Sequence, residues 1–216
     1  MVWFILCGSA ALLVVTNAVW RILSRRWNLP CPTWLAWGLE NPFFVWCLGT
    51  RTTIEQLDLQ PGHRVLEIGP GPGRLLLPAA RRVLPAGRAV GVDMQPGMIR
   101  RLLDNAKADN LANVEGIVAD AATMDIPRES FDVVIIALTL GEIPKRDEAL
   151  RRASLALEPG GLLSISEMFL DPHFTRRSTV RRLAEAAGFE HKSTQGCAAH
   201  FHSLFTKPDS PMSCSQ

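Results

Sequence analysis

The sequence predicts an α/β fold built on a doubly wound, mostly parallel sheet. Three observations carry that prediction. Short apolar runs alternate with helical stretches through the body of the chain, the pattern of consecutive βα units. A glycine-rich turn, Arg64-Val-Leu-Glu-Ile-Gly-Pro-Gly-Pro-Gly-Arg74, joins the first of these runs to a helix. Acids stand at the ends of the next two runs, Asp93 and Asp120. Sheets of this kind bind ligands at those strand ends, beside the switch point in strand order.

The elements follow in order. Thr50 to Leu59 read as a helix leading into the domain, and Gln60-Pro61-Gly62 as a turn. Val65 to Ile68 form a short buried strand, followed by Gly69, Gly71 and Gly73 at alternate positions. Without a Cβ the backbone can turn sharply there and approach a ligand. The next helix, Leu75 to Leu84, points its N-terminal N–H groups over the turn. The spacing is G-x-G-x-G, not the dinucleotide spacing G-x-G-x-x-G. Pro70 and Pro72 stiffen the loop and remove two donors.

Arg88 to Val92 form a second strand ending in Asp93, and Gln95-Pro96-Gly97 opens a helix running to about Asp109. Val114 to Ala119 are a third strand ending in Asp120, and Phe131 to Leu138 a fourth. Lys145 to Leu157 read as a helix with Leu150, Ala153 and Leu157 on one face. The turn Leu157-Glu-Pro-Gly-Gly161 then leads to a fifth strand, Gly161 to Ser166. Thr175 to Ala187 form the last helix, stopped by Gly188. His191 to Thr206 supply two closing antiparallel strands, and residues 209–216 a polar tail read as disordered.

This series resembles the class I S-adenosylmethionine (SAM)-dependent methyltransferases. The matching residues are Glu67-x-Gly69-x-Gly71-x-Gly73, the strand ends Val92-Asp93-Met94 and Ala119-Asp120-Ala121, Phe131-Asp132-Val133-Val134, and the Leu-x-Pro-Gly-Gly turn. The resemblance covers residues 59–208 and implies a Rossmann-like domain with SAM as cofactor. It implies that Glu67 supports the amino-acid part of the cofactor, that Gly69, Gly71 and Gly73 pass beneath it, and that Asp93 accepts the ribose hydroxyls. Met94 would lie along the adenine, Asp120 would accept its amino group, Ala121 would offer a backbone N–H, and Ala137, at the edge where the strands end, would also contact the cofactor. For Asp120, a helix N-cap is the plainer competing reading. The family has no universal catalytic base. Glu142, after the fourth strand, is the candidate, with Glu167, His173, His200 and His202 behind it; the two alternating histidines read more simply as surface residues.

The N-terminal quarter is different. Val2 to Trp20 carry no charged side chain, and about 20 apolar residues span a bilayer core. Trp3 and Trp20 flank the run, and Arg21, Arg25 and Arg26 follow it. Residues 1–26 therefore read as one N-terminal transmembrane helix with a basic flank, placing the catalytic domain on the cytoplasmic side. A cleaved signal peptide fits less well, because no basic segment precedes the run; a buried soluble helix is the other alternative. Residues 27–58, dense in Trp and Phe and broken by Pro30, Pro32 and Pro42, read as an interfacial segment, a lid over the domain, or both.

Composition narrows the partners. The formal charge of +2 argues against nucleic acid, as does Leu138-Thr-Leu-Gly141 after the fourth strand, where nucleic-acid methyltransferases carry a Pro-Pro-aromatic element. The five cysteines form no C-x-x-C pair, so no metal site is expected. The expected partners are a bilayer and a lipid or apolar small-molecule acceptor. A phospholipid headgroup amine ranks first; a quinone precursor or an apolar thiol or phenol is the alternative. A non-catalytic SAM-binding protein and a protein methyltransferase are further readings.

Overall fold

The computed structural model describes residues 48–209, together with Val19, residues 21–24, Arg26, Cys31 and Asn41. Of the expected membrane span Val2–Trp20, only Val19 falls among these, and most of the aromatic segment and residues 210–216 also lie outside them. Among the described residues no helix is long and apolar enough to cross a membrane.

The chain runs α1 (Thr50–Gln56), β1 (Arg64–Ile68), α2 (Leu76–Arg82), β2 (Arg88–Asp93), α3 (Pro96–Ala108), β3 (Val114–Val118), β4 (Phe131–Ala137), α4 (Arg146–Ala156), β5 (Leu157–Met168), α5 (Arg177–Ala186), β6 (Glu190–Gly196) and β7 (His200–Thr206). The strands form one seven-stranded sheet in the order β3-β2-β1-β4-β5-β7-β6. The first five are parallel, and β7 returns antiparallel between β5 and β6. The strand order reverses between β1 and β4, which opens a crevice at their carboxyl ends.

Period-two alternation sorts the strand residues into two cores. Leu66, Ile68, Val134 and Ile136 pack with Leu150, Ala153, Val180 and Ala184 of α4 and α5. Val65, Ala89, Val133 and Ile135 pack with Leu76, Ala80, Leu102 and Ile54 on the other face. Burying each large aliphatic side chain contributes about 1.5–3 kcal/mol, so both faces must be covered. That is why these strands read as near-continuous apolar runs.

Several element ends differ from the sequence reading, and two of the differences have a clear physical reason. Leu157 is not the last residue of a helix face but the first of β5, paired with Phe131. The Glu158–Gly161 turn is an excursion within β5: pairing resumes only at Val133↔Leu162. Arg64 secures it by bonding Asp132 at 2.9 Å and Glu158 at 3.0 Å. Burial pushes the Asp132 carboxyl up, but the Arg64 bonds prevail and hold it below its ordinary value. The second difference is at the end of β4, where Leu138 leaves the strand in a left-handed conformation, φ 58°.

Candidate active site

The carboxyl ends of β1, β2 and β4 enclose a cavity of about 220 Å³. Its floor is the glycine turn. Gly69 has φ 70° and donates its N–H to the Val92 carbonyl at 2.8 Å. A Cβ there would lie 2.3 Å from Thr139 Cγ2, while the Thr139 hydroxyl donates to the Gly69 carbonyl at 3.3 Å. Gly71 also lines the cavity. Gly73 does not: it is where the loop closes on its helices, and a Cβ would meet Leu77 Cγ and Leu102 Cδ1, each at 2.7 Å.

Glu67 lies at the back of this floor, 2% exposed, and its Oε2 has no hydrogen-bond partner. Burial pushes its pKa up to about 8; the Arg74 guanidinium and the Leu76 N–H oppose that rise, and Asp93 adds to it. Arg74 is steadied by donating to Thr50 Oγ1 of α1 at 2.9 Å. Asp93 closes β2, its Oδ1 accepting the Gln95 N–H at 2.9 Å. Burial raises its pKa, opposed by the Gln95 and Gly71 N–H bonds. Met94, 61% exposed, Asp120, Ala121 and Ala137 complete this wall. Asp120 also accepts the Ala122 N–H at 2.8 Å, but this bond closes a turn and no helix lies between β3 and β4, so the helix N-cap reading is corrected while Asp120 lines the cavity.

A second wall comes from distant segments. Glu142, after β4, lies on it, as do Asp171 after β5 and Cys31. Burial raises the Glu142 carboxyl to about 8, with Asp171 and Asp93 reinforcing and the Cys31 N–H opposing. The Cys31 carbonyl accepts from Gln95 Nε2 at 3.0 Å, so the Cys31 peptide is clasped from both walls. Its thiol is pushed to about 11, first by burial and then by Glu142, Asp171 and Asp93. At neutral pH it stays protonated and is no nucleophile.

The remaining acid–base candidates sit behind the cavity. Glu167 is 1% exposed, its Oε2 accepting the Thr175 N–H at 3.0 Å. Its pKa is raised to about 8, chiefly by burial. The His173 backbone packs tightly on Gly141: a Cβ on that glycine would lie 1.8 Å from the His173 carbonyl oxygen. His202 corrects the surface reading. It is buried, bonded to Ser164 Oγ at 2.6 Å and to Gln56 Oε1. Desolvation pulls its pKa down to about 4, helped by His200. Arg74, Thr139, Gln95, Cys31 and Asp171 join the cavity without having been singled out. Arg74 and Gln95 are adjacent to the motifs, but Cys31 has no local signal.

Residues 59–205 match the model of a methyltransferase-domain family. The chain belongs to the class I SAM-dependent methyltransferases. It is similar to the ubiquinone/menaquinone biosynthesis C-methyltransferase UbiE of Pseudomonas putida strain GB-1, with 39% identity over 124 residues, 56% of this chain and 47% of that protein. The UbiE of Ectopseudomonas oleovorans is 38% identical over 118 residues, 53% of this chain and 68% of that protein. The chain thus spans about half the length of the first of these relatives. Among solved structures, a SAM-dependent methyltransferase from Aquifex aeolicus superposes with a TM-score of 0.76 at 18% identity, covering 82% of this chain and 100% of that one. That likeness concerns the fold.

SAM is the cofactor of this methyltransferase, and the residues present fit it. An ammonium group suits the unpartnered Glu67 oxygen. A ribose diol suits the Asp93 carboxylate, which has more acceptor sites than its two N–H bonds use. Gly69 and Gly71 hold the turn in left-handed conformations, φ 70° and 53°, and both line the cavity, so backbone free of side chains faces the cofactor there.

Proposed function

We propose that this enzyme methylates an apolar hydroxylated ring of the quinone-precursor class, delivered from a membrane. The observation that carries this reading is Glu142. Its carboxyl lines the same cavity as the glycine turn, its pKa raised to about 8 by burial and by Asp171. A base of that strength can take the proton of an acidic ring hydroxyl. The ring carbon would then bond to the methyl carbon as that carbon's bond to sulfur breaks, leaving a neutral thioether, and would release its own proton to bulk water to restore the aromatic ring. SAM supplies the activated methyl carbon. Glu67 and Asp93 would hold its amino and ribose groups above the glycine turn, Met94 would cover the adenine, Asp120 and Ala121 would engage that ring's edge, and Ala137 would contact the cofactor. Leu138, Ile143 and Pro144 exclude water from the reacting face.

The relatives' names support this acceptor class over the phospholipid amine that ranks first on sequence alone. The charge-free run Val2–Trp20 and the arginines after it support a membrane anchor with the domain on the cytoplasmic side. The test is transfer of labelled methyl from SAM by the full-length protein, given separately a demethylated quinol and a phosphatidylethanolamine. Label in the quinol supports the reading; label only in the phospholipid sinks it.

A further inference from the structure

The loop after β5 has two faces with different chemistry. Asp171 turns inward and lines the cavity. Phe169 and Leu170, immediately before it, are 54% and 70% exposed. Two large apolar side chains in water at the cavity mouth need a reason, because they give up transfer free energy the fold could have gained. They are not a floppy tip. The Phe169 N–H donates to the Ala199 carbonyl at 2.6 Å, and its ring stands edge-on to Phe174, which stands edge-on to the buried Phe201.

A second apolar element is bound to this one. Val19, residues 21–24 and Arg26 are helical. The Arg21 guanidinium lies 4.9 Å from the Phe169 ring centroid and donates to the Phe169 carbonyl. Val19 and Ile22 share a helix face by their spacing, and both are exposed, Ile22 at 65%. Arg26, one turn further along that face, is also exposed. Ser24, off that face, is buried. The exposed face is thus apolar toward its start and cationic at its end, and the charge-free run Val2–Trp20 leads straight into it.

We propose that Val19, Ile22, Phe169 and Leu170 form one face that rests in the interfacial layer of a phospholipid bilayer. Arg21 and Arg26 meet anionic headgroups there, and the cavity opens toward the lipid. Two features of the chain select a bilayer over a protein partner. A charge-free stretch long enough to enter a hydrocarbon core feeds the face, and arginines border it where headgroup phosphates lie. The proposal rests on the membrane-delivered acceptor proposed above and adds the route: the acceptor slides past Leu170 to Asp171 and Glu142 without crossing water.

The experiment uses the full-length protein reconstituted in mixed phosphatidylcholine–phosphatidylserine vesicles, with an encoded dansyl side chain replacing Leu170. A control carries it at Arg128, an exposed site before β4 and hence at the opposite end of the parallel sheet. The expected result is blue-shifted emission, quenched by acyl-chain-brominated lipid, at 170 and neither effect at 128. In unlabelled protein, Leu170→Glu should lower turnover of a vesicle-borne quinol about tenfold. It should leave turnover of detergent-dispersed quinol and SAM affinity unchanged. Emission at 170 matching that at 128 overturns the docking face even if the quinol is methylated. Quenching at 170 together with a failure to methylate any quinol supports the face and removes the acceptor reading instead.

Discussion

The two walls of the cavity are made in different ways. The cofactor wall is local. Glu67, Gly69 and Gly71 are separated by a residue or two, and its other members stand at the ends of adjacent strands whose order the sheet fixes. The acceptor wall joins Cys31, Glu142 and Asp171, drawn from three separate parts of the chain. The first wall works through backbone shape and two acids matched to fixed groups of one cofactor. The second works through the Glu142 carboxyl, whose proton affinity is raised by burial and then by the neighbouring Asp171. One wall can therefore be broken by geometry, the other by charge.

The largest expected effect is on the acceptor wall. Glu142→Gln should lower kcat by about 100-fold or more while SAM affinity stays within about threefold by calorimetry. In the wild type, kcat/KM should climb as Glu142 ionises through pH 8, and this limb should vanish in the variant. A fall in SAM affinity as large as the fall in kcat would merge the two walls.

Asp93→Ala tests the other wall. Loss of the charge-assisted bonds to a ribose, each about 1.5–3 kcal/mol, should weaken SAM binding about 100-fold; an unchanged calorimetric affinity would remove Asp93 from the site. Gly69→Ala should weaken binding about 30-fold, because it combines left-handed backbone strain of about 1–2 kcal/mol with the clash against Thr139. Adding Thr139→Ala should recover part of that loss, since the clash goes and the strain remains.

The smallest effect is on stability and concerns both walls. Glu67, Glu142 and Glu167 are each raised to about 8, against about 4.3 in an unfolded chain. Between those values the folded protein holds protons that the unfolded chain has released. Stability is then full below about pH 4.3 and falls as pH rises toward 8. The cofactor-free enzyme should lose several degrees of Tm between pH 5 and 8, at about 2–4 °C per kcal/mol. Glu67→Gln should flatten that slope, read by calorimetry across the range; a Tm that rises over this interval would contradict the buried-acid account.

What could be read in advance follows the same division. The βα order and the strand-end acids were legible because each is a local pattern repeated at a regular interval. Leu157 was misplaced because its helical spacing with Leu150 and Ala153 competes with a strand pairing to Phe131 that only the folded sheet supplies. His202 looked like a surface residue because alternation with His200 shows a shared face but not what covers it. Gln56 of α1 and Ser164 of β5 bury it.

The parallel sheet, the glycine turn and the acids beside it are written into short stretches of the chain, because strand hydrophobicity and the absence of a Cβ act over a few consecutive residues. Only the tertiary structure decided that Gly73 serves packing and not the cavity wall, that Glu67 is buried with an unpartnered oxygen, and that Glu142 shares a wall with Asp171 and the Cys31 peptide. Burial and the proximity of like charges depend on which distant segments meet, and no short stretch of sequence contains that information.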